Sequence, residues 1–335
     1  MLFTYTLLFV FLLVIMVAYI LIAKRLKIID IPSGRSSHTR PTVRGGGILF
    51  PVGASIWFII FGREQPYAVF GLLLISLISF VDDLKSLPGS FRIVFHLLAI
   101  GLLFYNVSLF SMHWYLLIAS LILTIGWINA FNFMDGINAM TAFYSLVLLG
   151  TFSLLNNATR LLSTFFSSTF PEHWEPFLPG GLVGVLFLSV LIFTFFNAKT
   201  KALVFAGDVG SISMAFLQSW MMISLMVETR QAFWILLFSV YGIDSVITIL
   251  IRLHRRENIF KSHRLHLYQL LANERKLPHL FVAAAYAIIQ MAINLLTIYL
   301  TFTGRMNVVG FLLILTGLTI IYILVRQRIT KLKLT

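Results

Sequence analysis

Apolar runs of about twenty residues recur along this chain. That is the length a helix rising about 1.5 Å per residue needs to cross a hydrocarbon core of about 30 Å. Eleven such segments can be placed, at 2–23, 44–62, 66–81, 92–110, 114–131, 137–155, 180–197, 209–227, 231–251, 279–302 and 307–326. The third is short, and the count falls to ten if a short segment does not cross. Lipid offers the backbone no hydrogen bonds, so a chain of this pattern is expected to be all-α, a polytopic transmembrane helical bundle. Composition agrees: 59% of residues are hydrophobic and 11% charged, where a soluble domain carries about 25% charged residues. The 335 residues are read as one integral membrane domain. With no cysteine in the sequence, disulfides, thiol nucleophiles, zinc thiolate sites and iron–sulfur clusters are excluded.

Charge sets the expected orientation. The first apolar run lacks a basic leader, is too long for the core of a secretory signal, and is followed by Lys24, Arg25 and Lys27. It is therefore read as a retained span with its N-terminus outside. Alternating from there places 21 of the 25 Lys and Arg in cytoplasmic loops or the C-terminal tail, with only Arg63, Arg160, Arg230 and Arg305 outside. That asymmetry accounts for most of the net charge of +13 as a topology signal rather than as affinity for nucleic acid. Loops 24–44, 82–92, 129–138, 198–208 and 252–278 then form one cytoplasmic face. The long external loop 156–179 carries Trp174 and phenylalanines suited to the membrane interface.

Five polar patterns fall on that face. Asp82 and Asp83 follow an apolar helix directly. Adjacent carboxylates need a cation, a proton or a basic neighbour, although a solvated helix end is the plainer account. Asn129, Asn132, Asp135 and Asn138 recur every third residue, near one helical face or on a turn. They suit hydrogen bonding to a ribose or base, or simple capping. Phe205 to Ser213 open an apolar helix with Gly207, Asp208 and Gly210. Glycine and free helix N–H groups admit a phosphate, while Asp208 could ligate a metal or only cap the helix. Between Arg252 and Gln269 lie Arg255, Arg256, Lys261, His263, Arg264 and His266. They could grip a diphosphate or anchor to anionic lipid. Finally, residues 31–47 combine glycines and hydroxyls with Arg35, His38, Arg40 and Arg44, a phosphate-binding loop or a basic lipid-facing one. The P-loop pattern is absent. His96, His113, His173, His254 and His279 are read as structural or interfacial. Asp244, inside an apolar span, is read as support for the arginines that follow its helix.

Taken together and in order, these patterns resemble the polyprenyl-phosphate N-acetylhexosamine-1-phosphate transferases, glycosyltransferase family 4. The resemblance runs over nearly the whole chain. It implies that Asp82 and Asp83 serve the lipid phosphate and metal region, with His266 as a third catalytic residue. Asn132 and Asp135 would lie near the nucleotide, and Asp208 would bind Mg²⁺, with Asp83 as a second candidate ligand. Phe205 would stack on uracil, while Arg35, His38, Arg44, Asn138, His263 and Arg264 would contact substrates. Mn²⁺ is an alternative metal. Three positions depart from the family pattern: Asn138 stands where Asp is usual, Leu203 where Lys is frequent, and His263, Tyr268 and Gln269 within a histidine-rich run. In these it looks more like enzymes that initiate O-antigen. The implied reaction joins undecaprenyl phosphate to a UDP-N-acetylaminosugar in a bacterial inner membrane, with the site facing the cytoplasm. Nucleic acid has no part in it, and a homodimer is left open.

Three other classes stand against this reading, of which a non-catalytic membrane scaffold leaves the cluster of aspartates unexplained. A transporter of a phosphorylated or nucleotide-linked solute predicts polar groups at mid-membrane and on both faces, where this sequence shows chiefly Asp244 within a span. The CDP-alcohol phosphatidyltransferase pattern fails, because Asp135 and Gly136 are followed by Ile137, Asn138, Ala139 and Met140.

Overall fold

The structure, a computed structural model, describes residues 2–32, 37–171, 173–258 and 264–331. Its principal helices are α1 (Leu2–Arg25), α2 (Leu49–Ile60), α3 (Pro66–Leu84), α4 (Gly89–Asn106), α5 (Trp114–Met134) and α6 (Met140–Asn156). They continue with the short α7 (Ala158–Leu161), then α8 (Leu182–Asn197), α9 (Gly207–Thr229), α10 (Ser239–His254), the single turn α11 (Leu267–Gln269), α12 (His279–Phe302) and α13 (Val308–Lys331). Helix is found at each of the eleven apolar segments. Eight of these helices are long and apolar enough to cross a membrane, and Gly46–Ile60, Met140–Asn156 and Leu182–Asn197 are shorter. Among the described residues, the one addition to an all-helical reading is a pair of two-residue strands, β1 (Ile29–Asp30) and β2 (Thr42–Val43).

Several boundaries move for local reasons. Helix α3 runs to Leu84, which puts Asp82 and Asp83 in its last turn rather than beyond it. Pro88 precedes the start of α4 at Gly89, where proline's fixed φ suits entry into a helix. Helix α9 starts at Gly207, so Asp208 sits in its first turn, where a carboxylate suits the helix dipole. Trp174 of the external loop is buried in the protein. It is 9% exposed, donates from Nε1 to the Leu155 carbonyl at 2.8 Å, and packs 4.9 Å from the Phe302 ring. Its indole N–H finds a backbone acceptor inside the protein, which removes the need for a wet edge.

The bundle is ordered by where its polar atoms can be satisfied. The two most apolar spans, α1 and α13, have mean hydropathies of 3.0 and 2.7 and are 28% and 6% buried. Helix α9 reaches only 1.4 yet is 89% buried, packed against α2, α3, α5 and α6. A central helix sees protein rather than lipid, so it can hold Ser211, Ser213, Gln218 and Ser219 in its core-facing turns. Gln218 accepts from Trp127 Nε1 at 3.0 Å and donates to Ser145 Oγ at 3.2 Å. Helix α4 has the same hydropathy of 1.4 but is 22% buried; its polar Arg92 and His96 lie toward the end that meets the site.

Backbone pairing fixes the start of α9. Val43 bridges Val204 in parallel, Phe205 N–H donates to the Val43 carbonyl at 2.8 Å, and Gly46 N–H donates to the Phe205 carbonyl at 2.8 Å. Gly47 then lies directly on Gly210: a Cβ added to Gly47 would fall 2.2 Å from the Gly210 Cα. Gly207 takes φ +72°, a left-handed conformation that glycine adopts without steric cost.

Candidate active site

Asp83 is wholly buried at the end of α3. Its Oδ1 accepts from the Asp208 N–H at 2.9 Å, and its Oδ2 from the Val209 N–H at 3.0 Å. The first N–H groups of a helix have no partner within it, and here a carboxylate 125 residues earlier supplies one. Arg44 Nε completes the set, 2.7 Å from Asp83 Oδ1. The Asp83 oxygens therefore have no open face toward solvent. The sequence reading had made Asp83 a catalytic group and a metal ligand; the geometry makes it a clamp on the start of α9.

Asp82 faces the other way. It accepts from the Leu87 N–H at 2.6 Å and from Arg92 Nη1 at 2.7 Å, closing the turn between α3 and α4. Asp208 is the more open carboxylate, with its side chain 22% exposed, Arg44 Nη2 at 3.4 Å and Arg92 Nη1 at 3.9 Å. Two guanidinium groups thus converge on it. Arg92 had been counted only as a topology charge.

Arg44 and Asp208 open onto a cavity of about 360 Å³, within the range of small-molecule sites. Arg44, Asn132, Asp135, Asn138, Phe205 and Asp208 all line it. Asn132 Oδ1 accepts from Ser211 Oγ at 2.7 Å, which ties the end of α5 to α9. Asp135 accepts from the Thr141 hydroxyl. Burial pushes its carboxyl up to about 7; the Thr141 bond opposes the shift, and the nearby Asp208 and Asp83 add to it. Asn138 is 5% exposed and donates to the Lys199 carbonyl at 2.7 Å. His38 packs edge-on against Phe205, ring centres 4.8 Å apart, with Nδ1 2.9 Å from the Arg40 carbonyl and Nε2 3.4 Å from Asp30 Oδ2.

The last polar loop is placed differently from the sequence reading. Arg264 and His266 are not among the described residues that line the cavity. His266 is 2% exposed, its Nδ1 3.1 Å from Asp244 Oδ1. From the same turn it is Gln269 that reaches the cavity, joined by His279 at the start of α12. Arg35 and His263 lie outside the described residues. Asn197 also escaped the sequence reading. It accepts from the Ala139 N–H at 2.8 Å and donates to the Val204 carbonyl at 2.9 Å, coupling the Asn132–Asn138 turn to the segment that carries Phe205.

Could this wall hold a divalent cation? Among the described residues no three His, Cys, Asp or Glu side chains converge as a metal site. The cavity does carry oxygen donors in Asp208, Asp135 and Asn132. Mg²⁺ is commonly held by one or two carboxylates together with substrate phosphates rather than in an all-protein cage. The donor set fits that mode, with Asp208 more open than Asp82 or Asp83 and the arginines flanking it suited to phosphate oxygens.

Residues 66–226 match the family model described as glycosyl transferase family 4. The matched stretch includes Asp82, Asp83, Asn132, Asp135 and Asp208. Among curated proteins, none matches the chain.

Proposed function

We propose that this chain is a membrane transferase of the polyprenyl-phosphate sugar-1-phosphate type. On this reading it moves an N-acetylaminosugar-1-phosphate from a UDP-sugar to undecaprenyl phosphate. The products are undecaprenyl-diphospho-sugar, the first lipid-linked unit of O-antigen or another cell-envelope glycan, and UMP. The observation that carries the reading is the convergence of Arg44 and Arg92 on Asp208, from three distant chain segments, with Arg44 and Asp208 facing a cavity walled by Asn132, Asp135 and Phe205.

In this reaction an oxygen of the lipid phosphate forms a bond to the sugar-proximal phosphorus, and the bond from that phosphorus to the UMP oxygen breaks. Such transfers depend on positioning and charge neutralisation more than on covalent help from the protein. Arg44 and Arg92 offset the charge of the phosphates. Phe205 offers its ring to the base, and Asn132 and Asp135 bind the nucleoside portion. Asp208 would hold Mg²⁺, or Mn²⁺ in its place, which when bound neutralises diphosphate charge. A phosphate monoester with a second pKa near 6 is largely dianionic at pH 7, so the acceptor needs no general base. That agrees with Asp83 having its oxygens engaged by α9 and Arg44. Asp82 orients Arg92. UDP-sugars are cytosolic, so the cavity faces the cytoplasm of a bacterial inner membrane, and the acceptor's tail lies in lipid beside the helices.

The test is UMP release by the purified protein in detergent, given undecaprenyl phosphate, a panel of UDP-N-acetylaminosugars, and Mg²⁺ or EDTA. UMP that appears only with both lipid phosphate and Mg²⁺ is the expected result, and the donor that yields it identifies the sugar. Folded protein that releases no UMP with any donor would overturn the assignment.

A further inference from the structure

Asp244 on α10 is completely buried and has no role in the chemistry above. An ionised carboxylate in such a place needs full hydrogen bonding, and this one has it from four parts of the chain. Its Oδ2 accepts from the Tyr286 hydroxyl of α12 at 2.7 Å. Its Oδ1 accepts from the Leu267 N–H at 3.1 Å and the Tyr322 hydroxyl of α13 at 3.1 Å, and lies 3.3 Å from the Thr248 hydroxyl. His266 Nδ1 is 3.1 Å away. A carboxylate only accepts, so the ring nitrogen facing it carries the proton. Behind these groups the buried Arg326 donates to the Tyr322 hydroxyl at 2.8 Å and to the Thr248 hydroxyl at 3.3 Å. A cation thus reaches the carboxylate through two hydroxyls.

The turn gripped by Asp244 borders the cavity. Tyr268, next after Leu267, is fully buried and donates from its hydroxyl to the Phe133 carbonyl at 2.8 Å. It lies so close to Gly136 that a Cβ there would fall 2.1 Å from the Tyr268 oxygen. Gln269 accepts from the His266 N–H at 3.4 Å and forms part of the cavity wall. We propose that Asp244 is a positioning residue: it holds the His266–Gln269 turn against Phe133 and Gly136, so that the Gln269 amide is set in the cavity wall. The part that concerns catalysis rests on the transferase reading; the part that concerns geometry does not.

The absence of native cysteines provides a direct probe. Gln269→Cys and, as a control on the first loop, Ser37→Cys are labelled separately with a charged maleimide in the full-length detergent-solubilised protein. Each is compared with the same reporter carrying Asp244→Asn or Tyr286→Phe. Asp244→Asn is nearly isosteric and keeps one acceptor oxygen; Tyr286→Phe removes the shortest bond to Asp244 without touching the turn. Both variants should speed labelling at the Gln269 reporter by about tenfold and leave the Ser37 reporter within twofold. In chains without reporters, Asp244→Asn should lower kcat for UMP release by on the order of 100-fold, as misplacement by about 1 Å does, with the donor KM within twofold.

Unchanged labelling at the Gln269 reporter in both variants would overturn the proposal. An equal rise at both reporters would do the same, by exposing a general loosening. Altered labelling with unchanged kcat would remove the catalytic half. Wild-type protein that releases no UMP would overturn the transferase reading instead, while the labelling still decides the geometry.

Discussion

Replacing Asp83 by asparagine should weaken the fold, whereas the same change at Asp208 should not. Asp83 satisfies two N–H groups at the start of α9, at 2.9 and 3.0 Å, and pairs with Arg44 at 2.7 Å. An asparagine retains one acceptor oxygen and turns an NH₂ toward the remaining donors. One buried N–H is then left unsatisfied, at about 1–3 kcal/mol. Breaking a buried ion pair costs about 3–5 kcal/mol, but the Arg44 side chain is 35% exposed and lies 3.4 Å from Asp208. Rehydration and that second partner reduce the loss to about 1 kcal/mol. The sum is about 3 kcal/mol, which for a chain of 335 residues, at about 1.4 °C per kcal/mol, lowers the melting temperature by about 4 °C. Intrinsic fluorescence of the six tryptophans during a thermal ramp in detergent, at one fixed scan rate, reads the shift. UMP release should be lost as well. If Asp83→Asn melts with the wild type and is still inactive, the clamp argument fails and Asp83 acts directly on substrate or metal.

At Asp208→Asn the expected pattern is reversed: an unchanged or raised melting temperature, because one of several neighbouring carboxylates is neutralised, with UMP release down at least about 100-fold. Near-normal turnover by that variant would remove Asp208 from the site. Asp135 predicts a pH dependence. With its folded value near 7 and an ordinary value of about 3.9, the folded chain keeps a proton that the unfolded chain releases. Its contribution therefore makes stability fall as pH rises from about 4 to 7 and level off above. In EDTA, Asp135→Asn should flatten that part of the melting-temperature profile; a wild-type slope that persists in the variant would place the titration elsewhere. Gly47→Ala should disrupt folding, since the added carbon would meet the Gly210 backbone at 2.2 Å. The control is Gly101→Ala, which meets nothing within 4 Å and should be neutral or stabilise by up to about 1 kcal/mol; similar behaviour of the two variants in a thermal ramp would refute the close-packing argument.

The apolar segments were legible because lipid imposes length and hydropathy directly, and helix occurs at all eleven. The burial of Trp174 was not legible, because a tryptophan suits an interface and a buried site with an acceptor equally well. Within the site, residue type singled out Asn132, Asp135, Phe205 and Asp208, which line one cavity. It could not show what each carboxylate faces. Asp82 and Asp83 are adjacent in sequence, yet one closes a local turn and the other caps a helix 125 residues away. Arg92 looked like one more cytoplasmic charge, because only the packing of α3, α4 and α9 brings it to Asp82 and Asp208. His266 drew attention by its chemistry, whereas the cavity is reached by Gln269, a neutral residue with no motif of its own. His279, read as structural or interfacial, lines the cavity together with His38 of the first loop.

The bridge between Val43 and Val204 also orders events at the ribosome. Arg44 and Phe205 are held in one backbone pairing, and everything between them must be made first, which at roughly 5–20 residues per second takes about ten to thirty seconds. During that interval α1 to α8 can enter the bilayer, but Asp83 has no helix start to grip. The site therefore closes as a late step of biogenesis. A nascent chain arrested before residue 204 would leave Asp83 without the α9 N–H groups, and Arg44 and Arg92 without Asp208.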